Sequence, residues 1–277
     1  MNMKKKPKLG KPKHVPVVRE TPEWLNCSAP DVEAYIRLHL PSHETKSDVV
    51  TLTNRLVNEM LNAGLGRSGI IHTLRTCQCV SCGSVACPVC QRLFRGRFAK
   101  HYTPIFDRLR QKGWDIYLLT IVPADAVVSQ EALSKISWAR RRKVYKAMFS
   151  RAVEGLEVKA IVAPDIDLRK GVFSLHLHAV CAVRNYGYRA FTERLVQEFN
   201  PLRIGGAYPV KKVPIEDGLP SALTYVVKGM VSVASKVRKR RGVYTGKREV
   251  PYRIFLDSMT FANRTFKVWK KIPTQSE

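Results

Sequence analysis

The chain predicts an α+β fold: a split-βαβ, ferredoxin-like antiparallel sheet with helices on one face, preceded by a helical N-terminal region and a small cysteine-rich module. Three observations predict it. Residues 115 to 213 read in the order β-α-β-β-α-β. The run Val172–Val183 alternates between an apolar face and a face bearing Ser174, His176 and His178. Of the seven cysteines, Cys77, Cys79, Cys82, Cys87 and Cys90 crowd into one short stretch.

Taken in order, residues 1–25 read as a basic disordered tail containing Lys4, Lys5, Lys6, Lys8, Lys11 and Lys13. Residues 26–76 read as helical. Pro30 to Leu40 forms one short helix. Ser47 caps a second that ends near Ala63, with Val49, Leu52, Leu56 and Met60 on one stripe and Gly64 as the stop. Residues 77–92 are the cysteine module. From Cys90 to Gln111 a helix aligns Phe94, Phe98, Tyr102, Phe106 and Leu109, and Gly113 ends it.

The main α+β domain is expected over 93–235. Asp115–Val122 is a buried strand, and 131 to about 153 a basic helix. Glu157–Ala163 and Val172–Val183 flank a turn at Arg169-Lys170-Gly171. Arg189–Phe199 is helical and Ala207–Val213 a strand. Pro220 opens a helix reaching about Ser235, since proline suits a first turn whose N–H would be unpaired anyway. Residues 236–277 read as a basic extension. No internal repeat is visible.

Charge narrows the partners. Forty-eight Lys and Arg against 22 Asp and Glu leave a formal net charge of +26. Such an excess favours a polyanion, because neutralising phosphates releases counterions. Two further basic blocks stand out, Arg140, Arg141, Arg142 and Lys143, and Lys236 with Arg238, Lys239, Arg240 and Arg241. Nucleic acid is the expected partner and an anionic membrane surface the rival. No apolar run is long enough to span a bilayer. The basic N-terminus lacks a following apolar segment, so no secretory signal is expected.

Without one, the clustered cysteines point to a reducing cytoplasm and to metal rather than disulfides. Cys79, Cys82, Cys87 and Cys90 offer four thiolates, the number a structural Zn²⁺ takes; Cys77 and His72 are spare donors. Four thiolates close the coordination sphere, which assigns the site to structure or nucleic-acid contact rather than catalysis.

His176 and His178 share one strand face and can bind one metal ion without rebuilding the backbone. The competing reading is two imidazoles on a solvated sheet face. Tyr225 and Lys228 lie at i, i+3 on the last helix, on a polar stripe with Ser221 and Ser232. Taken alone, that pair reads as an amphipathic tyrosine at a core boundary.

Together these motifs are more selective. An apolar strand Leu118-Leu119-Thr120, then His176-Leu177-His178 on a strand, then Tyr225-Val-Val-Lys228 resembles the three-motif pattern of HUH endonucleases. The tyrosine follows the histidines, as in rolling-circle replication initiators of plasmids and phages and in related transposases; in relaxases it precedes them. The segment Cys82–Cys90 is similar to the one before the first motif in many initiators. The likeness covers about residues 77 to 235 and indicates a single-tyrosine member.

The resemblance implies nicking and joining of single-stranded DNA at a replication origin, with Tyr225 as nucleophile and Lys228 beside the phosphate. It implies Mg²⁺ or Mn²⁺ on His176, His178 and an acidic third ligand, and a host helicase and polymerase as partners. A turn centred near 170 sets Asp165 opposite His176, with Asp167 next and Glu157 farther. A register slip of one residue would reverse that choice. Two departures stand out. Ser221 occupies the place where some relatives carry a terminating glutamate, which shifts the expectation to transfer onto a second tyrosine or subunit. Leu175 replaces the usual proline or polar residue before the first histidine.

Overall fold

The computed structural model describes residues 23–66, 68–77, 82–133, 135–169, 172–184, 187–200, 210–228, 232–233, 242–243 and 249–269. The basic tail over 1–22, Cys79, and Lys236 with Arg238, Lys239, Arg240 and Arg241 lie outside them.

A short 3-10 turn, Glu23–Asn26, leads into α1 (Ala29–His39), α2 (Lys46–Asn62), α3 (Gly69–Thr76) and α4 (Pro88–Gln111). Strand β1 (Asp115–Ile121) follows, then β2 (Val127–Val128), α5 (Gln130–Leu133) and α6 (Trp138–Ala152). The long hairpin is β3 (Val158–Arg169) and β4 (Val172–Val183). After it come α7 (Tyr188–Phe199), β5 (Val210–Pro214), α8 (Leu219–Val226), β6 (Ser232–Val233), β7 (Gly242–Val243), α9 (Glu249–Asp257), α10 (Phe261–Arg264) and β8 (Phe266–Trp269).

All eight strands form one sheet. Its path is β5-β1-β4-β3-β6-β7, with β2 beside β4 and β8 beside β3. Among the described residues every strand pairing is antiparallel except β3 with β6, which is parallel. The alternation of β4 therefore propagates across its neighbours. Thr120 and Ala163 oppose His178, and Asp165 opposes His176.

Helices cover both faces of this sheet, not one. On the face of Leu175, Leu177, Ala179 and Cys181 lie Tyr145 and Phe149 of α6 and Phe191, Leu195 and Phe199 of α7. On the histidine face, Val180, Ala182, Ile161 and Ala163 meet Phe94, Phe98 and Phe106 of α4 and Leu223, Val226 and Val227 of α8. The aromatic stripe of α4 explains the correction. Burying one such side chain is worth roughly 1.5–3 kcal/mol, and the histidine face carries enough apolar surface to receive it. Gly96 brings α1 and α4 together, since a Cβ there would meet Val32 and Ile36 side chains at 2.7 Å.

Several boundaries moved for local reasons. Thr45, rather than Ser47, caps α2, because Thr45 and Asp48 complete a reciprocal capping box. The single basic helix from 131 is two, and Ser137 starts the second by accepting the Arg140 N–H. The helix from Pro220 stops at Val226 instead of Ser235, and Ser232 pairs with Asp167 in the sheet. Ser232 therefore does not share a helical stripe with Tyr225. The expected extension is not peripheral: Tyr252, Phe255, Leu256, Phe266 and Val268 belong to the main core.

A candidate metal and tyrosine site

The hairpin β3–β4 puts two histidines and two aspartates on one face in adjacent rows. His176 is 3% and His178 2% exposed, and Asp165 2%. Buried polar groups at this depth need partners, and these have each other. His178 Nε2 lies 3.1 Å from Asp165 Oδ2, and its Nδ1 2.9 Å from Thr120 Oγ1. An ionised carboxylate only accepts. Nε2 therefore carries the hydrogen, and in the neutral ring Nδ1 accepts from the Thr120 hydroxyl. His176 sits 3.1 Å from Ser174 Oγ through Nε2 and 3.4 Å from Asp167 Oδ2 through Nδ1.

The C-terminal end of α8 delivers the rest. The Tyr225 ring, half-buried, lies 4.8 Å from the His178 ring between centroids. Lys228 stands just past the helix, its N–H donating to the Tyr225 carbonyl at 3.2 Å. Its Nζ is 4.4 Å from the Tyr225 ring centroid and 2.9 Å from Asp165 Oδ2. Burial works against the Asp165 charge, yet the His178 hydrogen bond and the Lys228 charge outweigh it and hold the carboxyl below its ordinary value. Burial likewise disfavours the Lys228 ammonium, but Asp165 and Tyr225 reverse this and raise it.

Asp165, Tyr225, His178 and Lys228, named from the sequence, thus meet at one place. The second-choice acid Asp167 stands with His176. Glu157 lies just before β3, at the far end of the hairpin, and pairs with Arg184. Ser221 is exposed on α8. Thr120 reads in the sequence only as part of an apolar strand; the β1–β4 register places it opposite His178.

Imidazole nitrogens with carboxylate oxygens are donor types that a divalent transition-metal ion accepts, the carboxylates also suiting Mg²⁺ or Mn²⁺. Asp165 Oδ1 is buried and has no hydrogen-bond partner among the described residues, as a ligand oxygen would be. As paired here, His178 Nε2 gives its hydrogen to Asp165 Oδ2 at 3.1 Å, so a cation could bind Nε2 only if that hydrogen left or moved to Nδ1. The two histidine rings, 6.3 Å apart, face different aspartates rather than a single point.

The cysteines behave differently. Cys77, Cys82, Cys87 and Cys90 bring their sulfurs within 4.8 Å of one another, the one such His/Cys/Asp/Glu group among the described residues. Cys77, a spare donor by sequence, therefore joins three of the four expected ligands, while His72 is exposed on α3. Neighbouring sulfurs push the Cys82 and Cys87 thiols up. Four crowded thiolates repel, and a bound dication removes that repulsion. This cluster is placed to hold a metal ion.

Of the first basic block, Arg141 pairs with Asp125 and Arg142 donates to the Thr265 carbonyl, while Arg140 and Lys143 are exposed. All four sit on α6, across the sheet from Tyr225. No described helix is long and apolar enough to cross a membrane. The chain matches no family model, no curated protein and no solved structure.

Proposed function

We propose that the protein is a metal-dependent nicking and joining enzyme for single-stranded DNA that initiates rolling-circle replication of a small circular replicon. One observation carries this reading: the half-buried Tyr225 ring, His178, Asp165 and Lys228, from three separate elements, converge at the edge of a buried charged cluster. The strand order β5-β1-β4-β3, with α6 and α7 as crossovers, supports the split-βαβ form of such a unit.

Tyr225 Oη attacks the scissile phosphorus in line, a P–O bond to tyrosine forms, and the bond to the 3′ oxygen breaks. The phenol releases one proton and the departing 3′ oxygen takes one up, so the step is proton-neutral. The product is a 5′-phosphotyrosine link and a 3′-OH that primes a polymerase. Phenol ionises near pH 10, so the nucleophile needs help from a bound cation or from Lys228, whose ammonium lies 4.4 Å from the ring centroid. The same ammonium neutralises charge growing on the phosphate. A Mg²⁺ or Mn²⁺ ion on His176, His178 and Asp165, which would require the His176 ring to turn from Asp167, would polarise the phosphate oxygens.

On this reading the four-cysteine cluster holds Zn²⁺ structurally, the net charge of +26 serves origin DNA, and a host helicase and polymerase act with the protein in a reducing cytoplasm. The test is a denaturing gel with labelled single-stranded oligonucleotides and Mn²⁺. Wild type gives a covalent adduct. Tyr225→Phe gives none, and His176→Ala with His178→Ala lowers its rate by about a hundredfold or more while DNA binding persists. DNA binding without any wild-type adduct would instead make this a non-catalytic, zinc-containing nucleic-acid-binding protein.

A further inference from the structure

Arg264, the last residue of α10, is fully buried at 0% exposure. A guanidinium so placed ordinarily pairs with a carboxylate. Among the described residues none pairs with Arg264. One Nη donates to the Gln91 side-chain oxygen. The other donates to the Lys228 backbone carbonyl at 2.6 Å. Phe94 packs against the guanidinium, 5.8 Å from its ring centroid. Burial lowers the Arg264 pKa to about 10 while Tyr252 and Asp165 oppose that, so the group stays charged at neutral pH.

The acceptor is informative. Carbonyls at a helix C-terminus have no partner within the helix, and a cation there is favoured by the helix dipole. Arg264 supplies both donor and charge at the residue where α8 has just ended, three positions after Tyr225. Gln91 ties the other side. It follows Cys90 in the chain, and its amide donates to the Val85 carbonyl, in the loop between Cys82 and Cys87. The C-terminal segment grips that loop too, through Arg253 to the Ala86 carbonyl at 3.1 Å and Ser84 to Asp257 at 2.7 Å.

We propose that Arg264 is a positioning residue: with Gln91 it forms a relay that fixes the Lys228 carbonyl, and so Tyr225 and the Lys228 ammonium, against the four-cysteine loop. The effect on catalysis rests on Tyr225 being the nucleophile. The relay itself does not.

The experiment uses the full chain, a labelled randomised single-stranded oligonucleotide pool with Mn²⁺, and hydrogen exchange read by mass spectrometry. Arg264→Ala is expected to slow adduct formation about 10–100-fold with oligonucleotide affinity changed less than about threefold, the signature of misplacement rather than lost binding. Arg264→Lys recovers part of the rate. Amides of 219–228 exchange faster in Arg264→Ala while β3 and β4 stay protected. If Arg264→Ala fails to fold, Gln91→Ala removes the guanidinium's other anchor and is read in the same way. Parallel loss of binding and cleavage, or faster exchange spread evenly over the sheet, overturns the relay and makes Arg264 a general core residue. If wild type forms no adduct, the tyrosine reading fails; the exchange measurement then decides the relay alone.

Discussion

The four-cysteine cluster and the histidine–aspartate cluster contain similar numbers of metal donors, yet they are built in opposite ways. In the first, all four sulfurs already converge within 4.8 Å, and no other side chain is needed to complete a tetrahedron. In the second, each donor is engaged with a neighbour: His178 with Asp165 and Thr120, His176 with Asp167 and Ser174, and Asp165 with Lys228. Convergence of identical soft ligands suits a permanent metal that holds a fold together. Mutual pairing of acids, bases and a lysine suits a site whose charges are redistributed when a phosphate and a cation arrive.

The sharpest way to break that contrast is to remove one ligand from the closed cluster. Cys90→Ser should drop bound zinc from near one equivalent to well below half. It should also cost several kcal/mol of folding stability, because metal affinity at a structural site is folding energy. Metal analysis and urea unfolding measure both. Full zinc and unchanged stability in Cys90→Ser would remove the structural role. His176→Ala should leave the zinc content intact, which separates the two clusters.

Asp165→Asn probes the paired cluster. It leaves the buried Lys228 ammonium without its carboxylate, a loss of about 3–5 kcal/mol when one member of a buried pair is removed. The pH dependence follows from the directions of the shifts. Asp165 is depressed in the fold, so its contribution is complete above the unfolded carboxyl value near 4 and fades as pH falls through the lower folded value. Lys228 is raised, so its contribution is complete below the unfolded value near 10.4 and fades as pH rises through the higher folded one. The stability gap between wild type and Asp165→Asn should therefore stay level from about pH 5 to 9 and close in acid. A gap that does not narrow as pH falls below about 4 would show that the carboxylate charge is not its source.

The smallest effect tests the two faces of the sheet. Arg140→Ala with Lys143→Ala removes two exposed charges on α6, opposite the tyrosine. If DNA reaches that face, the slope of log K against log salt should flatten by up to about 1.8, with stability changed by no more than about 0.5 kcal/mol. An unchanged slope confines the DNA path to the tyrosine face.

Much of this was legible before folding. The bounds of β4, Val172–Val183, agree with the alternation pattern, and so does the pairing of Asp165 with His176 counted from a turn near 170. Hairpin register is a local property, set by a short connection and two periodic strands. Where the α8 helix ends was not local. Its expected continuation ignored Val231 and Val233, β-branched residues that suit a strand, and the edge of β3 was there to receive Ser232–Val233. Cys77 was visible only as a spare donor. Packing of both α3 and α4 on α2 brings it to Cys87 at 3.3 Å and Cys90 at 3.4 Å, which spacing along the chain does not encode.

The amino-acid order by itself determined the long helix α4, the β3–β4 hairpin with its strand faces, and the residue types of both clusters, because these depend on periodicities of two and 3.6 residues and on side-chain type. Tertiary structure alone decided that the histidine face is buried under α4 and α8 and that Lys228 reaches Asp165. It alone drew Arg264, from the far end of the chain, behind the tyrosine. Those outcomes depend on which distant surfaces exclude water together, and no local window of the sequence contains both partners.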